Sequence, residues 1–159
     1  MQKLSITIGI SGSGKTTFRK TLENFKCVSS DDIRKEITGN ISDQSKNNEV
    51  WIKAYERLRT YLECGFNVIF DSTACNVSTV KTLQSIGDSF NCEIVFKLFE
   101  TDEQTAFERI QNDLQNGIDR SNVPRAVVRQ QLHNYELVKN YLIDAKFTIL
   151  EELESDNNK

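Results

Sequence analysis

Gly9-Ile10-Ser11-Gly12-Ser13-Gly14-Lys15-Thr16 follows directly on the alternating run Leu4-Ser5-Ile6-Thr7-Ile8 and precedes a helical pattern. A strand, a glycine-rich turn, Lys-Thr and a helix, in that order, are the context in which G-x-x-x-x-G-K-[ST] acts as a nucleotide phosphate loop. Gly9, Gly12 and Gly14 let the main chain curl until successive N–H groups converge, an anion nest at a helix start. In such a loop Lys15 neutralises the β- and γ-phosphates and the Thr16 hydroxyl ligates Mg²⁺. The candidate phosphate-binding residues are therefore Gly9, Ser11, Gly12, Ser13, Gly14, Lys15, Thr16 and Thr17. The implied ligands are ATP and Mg²⁺, with Thr16 as the metal ligand.

Outward from the loop, strand-like and helix-like patterns alternate, which predicts an α/β fold on a mostly parallel sheet. Helix 1 is expected over Lys15 to Phe25, a short strand at Cys27–Ser29, and a second helix over Asp31 to Thr38. Trp51, Tyr55, Leu58 and Leu62 recur at helical spacing, predicting an amphipathic helix over 49–64 ended by Gly65. Val68-Ile69-Phe70-Asp71 reads as a buried strand ending in a carboxylate. Val77 to Phe90 reads as a helix and residues 92–99 as a strand. Thr101 and Gln104 suggest a capping box for a helix to about Asn116. Pro124 suits the first turn of a helix over 124–142, and Phe147–Leu150 reads as a last strand. Residues 1–150 are expected to form one domain, and the acidic tail 151–159 to fray.

Composition narrows the class. Hydrophobic residues make up 38% and charged residues 27% of 159, ordinary for a soluble globular chain. No run approaches the ~20 apolar residues that span a bilayer, and the apolar start runs into the glycine loop with no cleavage site, so it reads as a strand rather than a signal peptide. No membrane role and a cytoplasmic location are expected. Cys27, Cys64, Cys75 and Cys92 lack C-x-x-C spacing and His133 is the single histidine, which argues against zinc. Residues 1–60 hold 11 Lys and Arg against 7 Asp and Glu, and the remainder 9 against 16. A basic pocket for a polyanion would lie in the first half; a merely solvated surface fits the same asymmetry.

No N-K-x-D motif is present, which disfavours a GTPase, and Asp71 is followed by Ser72 instead of a water-positioning glutamate. Transfer of the γ-phosphate to a bound acceptor fits best. Ser29-Ser30-Asp31-Asp32-Ile33-Arg34 stands after the second strand, at the cleft edge where acceptors bind in open α/β sheets. A carboxylate and an arginine three apart share a helix face, a base beside a phosphate clamp. A capping aspartate followed by a surface arginine would give the same pattern.

The phosphate loop, Ser-Ser-Asp-Asp-Ile-Arg and Val-Ile-Phe-Asp-Ser-Thr together resemble the polynucleotide 5′-hydroxyl kinase family, over about Leu4 to Leu142. The resemblance implies a three-layer P-loop kinase sandwich with a helical lid, acting on the 5′-OH end of DNA or RNA in nucleic acid repair. Carried over by position, the resemblance implies Asp31 as the general base, Arg34 as the acceptor phosphate clamp, and Asp71 as a support of the acceptor site that would pair with Arg34. Asp71 also fits a helix or turn cap after a buried strand. The lid of the family brings arginines over the donor phosphates, here Arg109 or Arg120, and Asn122-Val123-Pro124 closes that segment. Asp113 stands where the family has a second arginine, so Arg109 could instead pair with Asp113 on its own helix. A kinase for a small acceptor, or a nucleotide-dependent binding module using exposed aromatic or basic residues of helix 49–64, are the alternatives.

Overall fold

The computed structural model describes residues 1–73, 75–147 and 149–150. In chain order the elements are β1 (Lys3–Gly9), α1 (Lys15–Arg19), β2 (Phe25–Ser29), α2 (Ser30–Thr38), α3 (Asn47–Glu63), β3 (Asn67–Asp71), α4 (Val77–Ser89), β4 (Glu93–Phe99), α5 (Glu103–Gln115), α6 (Arg125–Asp144) and β5 (Ile149–Leu150). The strands form one sheet in the order β2-β3-β1-β4-β5, every pairing parallel. Central β1 is buried from Leu4 to Gly9, so helices must cover both faces, as parallel crossovers require. This is the expected α/β sandwich.

Register and pleat sort the strand residues onto two unlike faces. Leu4, Ile6 and Ile8 lie level with Val68, Phe70, Phe96 and Leu98 in the apolar core. Thr7, Asp71, Lys97 and Phe99 point the other way, toward α1, whose Phe18 ring meets Phe99 edge-on at 5.5 Å. Parallel pairing also brings Ser29, Asp71, Gly9 and Phe99 to one edge of the sheet, where the phosphate loop emerges.

Helix α3 buries Val50, Ala54, Leu58 and Leu62. Its Trp51 and Tyr55 stack on Phe70 at 6.1 and 6.2 Å, contacts worth roughly 0.5–1.5 kcal/mol each beyond area burial. Trp51 and Tyr55 thus serve the core.

Helix 1 is much shorter than its pattern suggested. It stops at Arg19 because the Phe18 carbonyl takes both the N–H and the hydroxyl of Thr21, at 2.9 and 2.7 Å, and three-residue turns lead into β2. Helix α5 starts one residue later than the Thr101 capping box implies: Asp102 is the cap and accepts from the Thr105 N–H at 2.7 Å. Gly65 (φ +86°) follows α3 in the left-handed conformation, as expected of a helix stop. The tail 151–159 lies outside the described residues. Among the described residues, no helix is long and apolar enough to cross a membrane.

Candidate active site

The loop between β1 and α1 is braced from four directions. Gly12 and Gly14 have φ of +79° and +100°, and a Cβ on Gly12 would lie 2.5 Å from the Ala106 carbonyl oxygen of α5. Only glycine permits that curl and that approach. Lys15 folds back over the loop, its Nζ donating to the Ile10 carbonyl at 2.9 Å and to Ser13 Oγ at 3.4 Å. Arg109 of α5 donates to the Gly12 carbonyl at 3.1 Å, and the Ser11 N–H donates to Gln131 Oε1 of α6 at 2.9 Å. Burial holds the Lys15 ammonium below its ordinary pKa, against the attraction of Asp71 and Asp31. A five-residue α1 adds little macrodipole, so loop amides and Lys15 must supply the anion attraction.

The loop fits a nucleotide phosphate group: Gly12 and Gly14 hold the left-handed conformations that a nest of amides requires, Gly14 opens on free space, and Lys15 lies over the loop. Among the described residues, no group of three or more His, Cys, Asp and Glu gathers to hold a metal. A Mg²⁺ bound with the nucleotide would take phosphate oxygens and the Thr16 hydroxyl as ligands.

Facing the loop across a cleft of about 1540 Å³ stands the start of α2. Ser29 caps α2, its hydroxyl accepting from the Asp32 N–H at 3.3 Å, so neither aspartate is spent on capping. Asp31 Oδ1 accepts from Arg34 Nη1 at 2.7 Å, and Arg34, almost fully buried, also donates from Nε and Nη2 to Asn47 Oδ1 at 3.3 and 3.1 Å. Burial in the cleft raises the Asp31 pKa; Arg34 pulls it down, Asp71 pushes it up, and Lys15 lowers it.

Asp71 differs from expectation. Its partners are Arg19 of α1, at 3.5 Å, and the Thr7 hydroxyl, which donates to Oδ1 at 3.2 Å; Arg34 is not among them. Arg19 also meets Asp32 at 3.2 Å and donates to Cys27 Sγ at 3.4 Å. The reason is register: Thr7 and Ser29 flank Asp71 on the face that α1 covers, whereas Arg34 turns toward α3. Nor does Asp71 cap a helix, a task that falls to Asn76 at α4.

Between α5 and α6, Arg120 Nη1 pairs with Asp113 at 2.8 Å, while its buried Nε has no hydrogen-bond partner among the described residues. Arg109 sits on the phosphate loop instead of pairing with Asp113. Both arginines line the cleft with Lys15 and Asp31. The strap 117–124 reaches the acceptor side: Asp119 pairs with Lys35, and the Asn122 N–H donates to Ser42 Oγ at 3.3 Å.

Arg19, Asn47 and Gln131 escaped the sequence reading. Arg19 follows Lys15 by one helical turn, a legible signal. Asn47, the first residue of α3, falls in a polar run, 38–48, that carries none.

A Gly-rich loop with its lysine folded over it, at the carboxyl edge of a parallel sheet, defines a P-loop protein of the kinase fold. The chain belongs to the AAA domain family, whose model matches residues 4–138. It is 27% identical over 122 residues to a protein of Autographa californica nuclear polyhedrosis virus named "Putative bifunctional polynucleotide kinase/RNA ligase", covering 68% of this chain and 18% of that one. Among solved structures it resembles a chain of the Pnkp1/Rnl/Hen1 RNA repair complex, with a TM-score of 0.76, 19% identity, and coverage of 88% of this chain and 46% of the other. It also resembles a chain of the PezAT toxin-antitoxin system of Streptococcus pneumoniae, with a TM-score of 0.65, 19% identity, and coverage of 95% and 69%. The chain thus spans about a fifth of the viral relative and under half of the repair-complex chain.

Proposed function

We propose that the chain is an ATP-dependent polynucleotide 5′-hydroxyl kinase. The observation that carries the reading is the Asp31–Arg34 pair, bonded at 2.7 Å, in the same cleft as Lys15 and near enough that Asp31 and Lys15 each perturb the protonation of the other. A 5′-hydroxyl oxygen placed between them would bond to the γ-phosphorus of ATP while the bond to the β,γ-bridging oxygen breaks. ADP leaves and the hydroxyl proton passes to Asp31. Arg34 would clamp the adjacent acceptor phosphate, and Asp71 would support the acceptor site through Arg19. Arg109 and Arg120 would approach the charge that spreads over the transferring group. A Mg²⁺ held by Thr16 would supply further neutralisation of the phosphates.

Support beyond the site comes from the viral relative and from the fold of the repair-complex chain. A small acceptor is favoured by one feature, the strap contacts Lys35–Asp119 and Asn122–Ser42 that narrow the acceptor side.

Transfer of labelled γ-phosphate to 5′-OH DNA and RNA oligonucleotides, beside nucleosides, nucleotides and sugars, tests the proposal. Label on an oligonucleotide is expected, absent with Lys15→Ala. Asp31→Asn should slow turnover by roughly 10²–10⁴-fold with little change in ATP affinity. Label on a small acceptor alone would overturn the polynucleotide reading, and undiminished turnover in Asp31→Asn would overturn the assigned base.

A further inference from the structure

Helix α6 carries its buried face at Val128, Tyr135, Val138 and Leu142. Leu132, half-buried against the core, completes that stripe, and Gln131 stands beside it, also half-buried. A partly buried carboxamide is favoured by a hydrogen-bond partner. Its partner lies 120 residues away: the Ser11 N–H, which donates to Gln131 Oε1 at 2.9 Å. A backbone N–H is a donor only, so the oxygen faces Ser11 and the Nε2 amino group faces away. Nε2 makes no hydrogen bond among the described residues, and Gln131 lines the same cleft as Lys15.

The position of Ser11 gives this bond its meaning. Lys15 arches over Ile10 and Ser13, bonding to both. In a phosphate loop that lysine reaches the β- and γ-phosphates, so the stretch from Ile10 to Ser13 lies at the terminal-phosphate end of the cradle. Gln131 therefore stands at the rim of that end with two free N–H donors, and no charge of its own.

We infer that Gln131 is a determinant of donor specificity, a residue that sets the Ser11 amide through Oε1 and meets the terminal phosphate of a nucleoside triphosphate through Nε2. It distinguishes triphosphate from diphosphate. The inference rests on the nucleotide-binding reading of the loop, not on the identity of the acceptor.

The test is calorimetric affinity for Mg·ADP and for a Mg·ATP analogue with a non-transferable γ-phosphate, on the full chain. Gln131→Glu keeps an oxygen for the Ser11 N–H but replaces the donor with a negative charge. It should lose tenfold or more in affinity for the triphosphate and at most about twofold for ADP, a selective electrostatic penalty of over ~1.4 kcal/mol. Gln131→Met keeps the packing volume without the donor and should lose roughly three- to tenfold, again selectively. Equal losses for both nucleotides would reduce Gln131 to a loop brace and overturn the inference, as would unchanged affinity in both variants. Should the wild-type chain bind neither nucleotide, the phosphate-loop reading falls too, an outcome distinct from unselective variants of a binding-competent protein.

Discussion

Arg19→Met separates the two jobs of the α1 arginine. The substitution leaves Asp71, 6% exposed, with the Thr7 hydroxyl as its remaining hydrogen bond among the described residues and no adjacent guanidinium. Removing one partner of a buried pair costs roughly 3–5 kcal/mol. Arg19 is 17% exposed and the pair stands at 3.5 Å, so the expected loss is smaller, about 2–3 kcal/mol. The second pair contributes less, because the Asp32 side chain is 55% exposed and such pairs are worth under ~1 kcal/mol. For a chain of this size each kcal/mol moves Tm by roughly 2–4 °C, so a fall of about 5–10 °C is expected. Urea titration of wild type, Arg19→Met, Asp71→Asn and the double variant closes a thermodynamic cycle. Its coupling should reach about 1–2 kcal/mol, with Asp32→Asn as a near-neutral control. Additive single effects, or a loss below about 0.5 kcal/mol in Arg19→Met, would refute the claim that Asp71 depends on Arg19.

Three further outcomes follow from the same geometry. Gly12→Ala forces a left-handed alanine, costing ~1–2 kcal/mol, and drives its methyl onto the Ala106 carbonyl of α5; α5 must retreat with Arg109, and affinity for Mg·ATP, read by calorimetry, should fall at least tenfold. Mg·ATP at a hundred times its Kd should stabilise the wild type by about 2.7 kcal/mol, a Tm rise of ~5–10 °C seen by differential scanning fluorimetry, and Lys15→Met should abolish that rise. Because burial lifts the Asp31 pKa above the ordinary aspartate value, the folded state holds this proton more tightly than the unfolded chain. Its contribution to stability therefore declines as pH rises from the ordinary value through the raised one. The stability of wild type relative to Asp31→Asn should fall across that window and level off above it, by denaturant titration at stepped pH; a rise instead would contradict the sign.

Much of this was legible because local chemistry and tertiary role coincide. The phosphate loop needs its glycines for curl and its lysine for charge, and both requirements are written in adjacent residues. Asp31 and Arg34 share a face at i, i+3 whatever surrounds them, so their contact at 2.7 Å needed no long-range knowledge. The cap of α2 was not legible: the pattern offered an aspartate for it, and the turn out of β2 gives that role to Ser29. The Asp71 partner was not legible. Arg19 and Arg34 are both cations near a strand end, and the parallel register and the cover of α1 decide between them.

The brevity of α1 links these observations. Five residues fall well below the ~12–15 at which an isolated helix becomes even marginal, so propensity cannot hold Lys15–Arg19 in place. What holds it is the second face of the sheet. Phe18 packs edge-on against Phe99, and Lys97, buried on β4, lies 5.6 Å and 5.9 Å from the centres of those two rings. Arg19 then ties the last turn to Asp71 and to Asp32. One face of the sheet is built from aliphatic and aromatic burial; the other spends burial on compensated charge, at a desolvation cost an apolar face would not incur. That cost is intelligible if the polar face fixes Lys15, at one end of α1, relative to Asp71 and the start of α2, at the other. A phosphoryl donor and its acceptor must be aligned to within about an ångström, and a helix whose last turn is pinned by Cys27, Asp71 and Phe99, side chains of three strands, meets that demand better than a longer helix free to pivot.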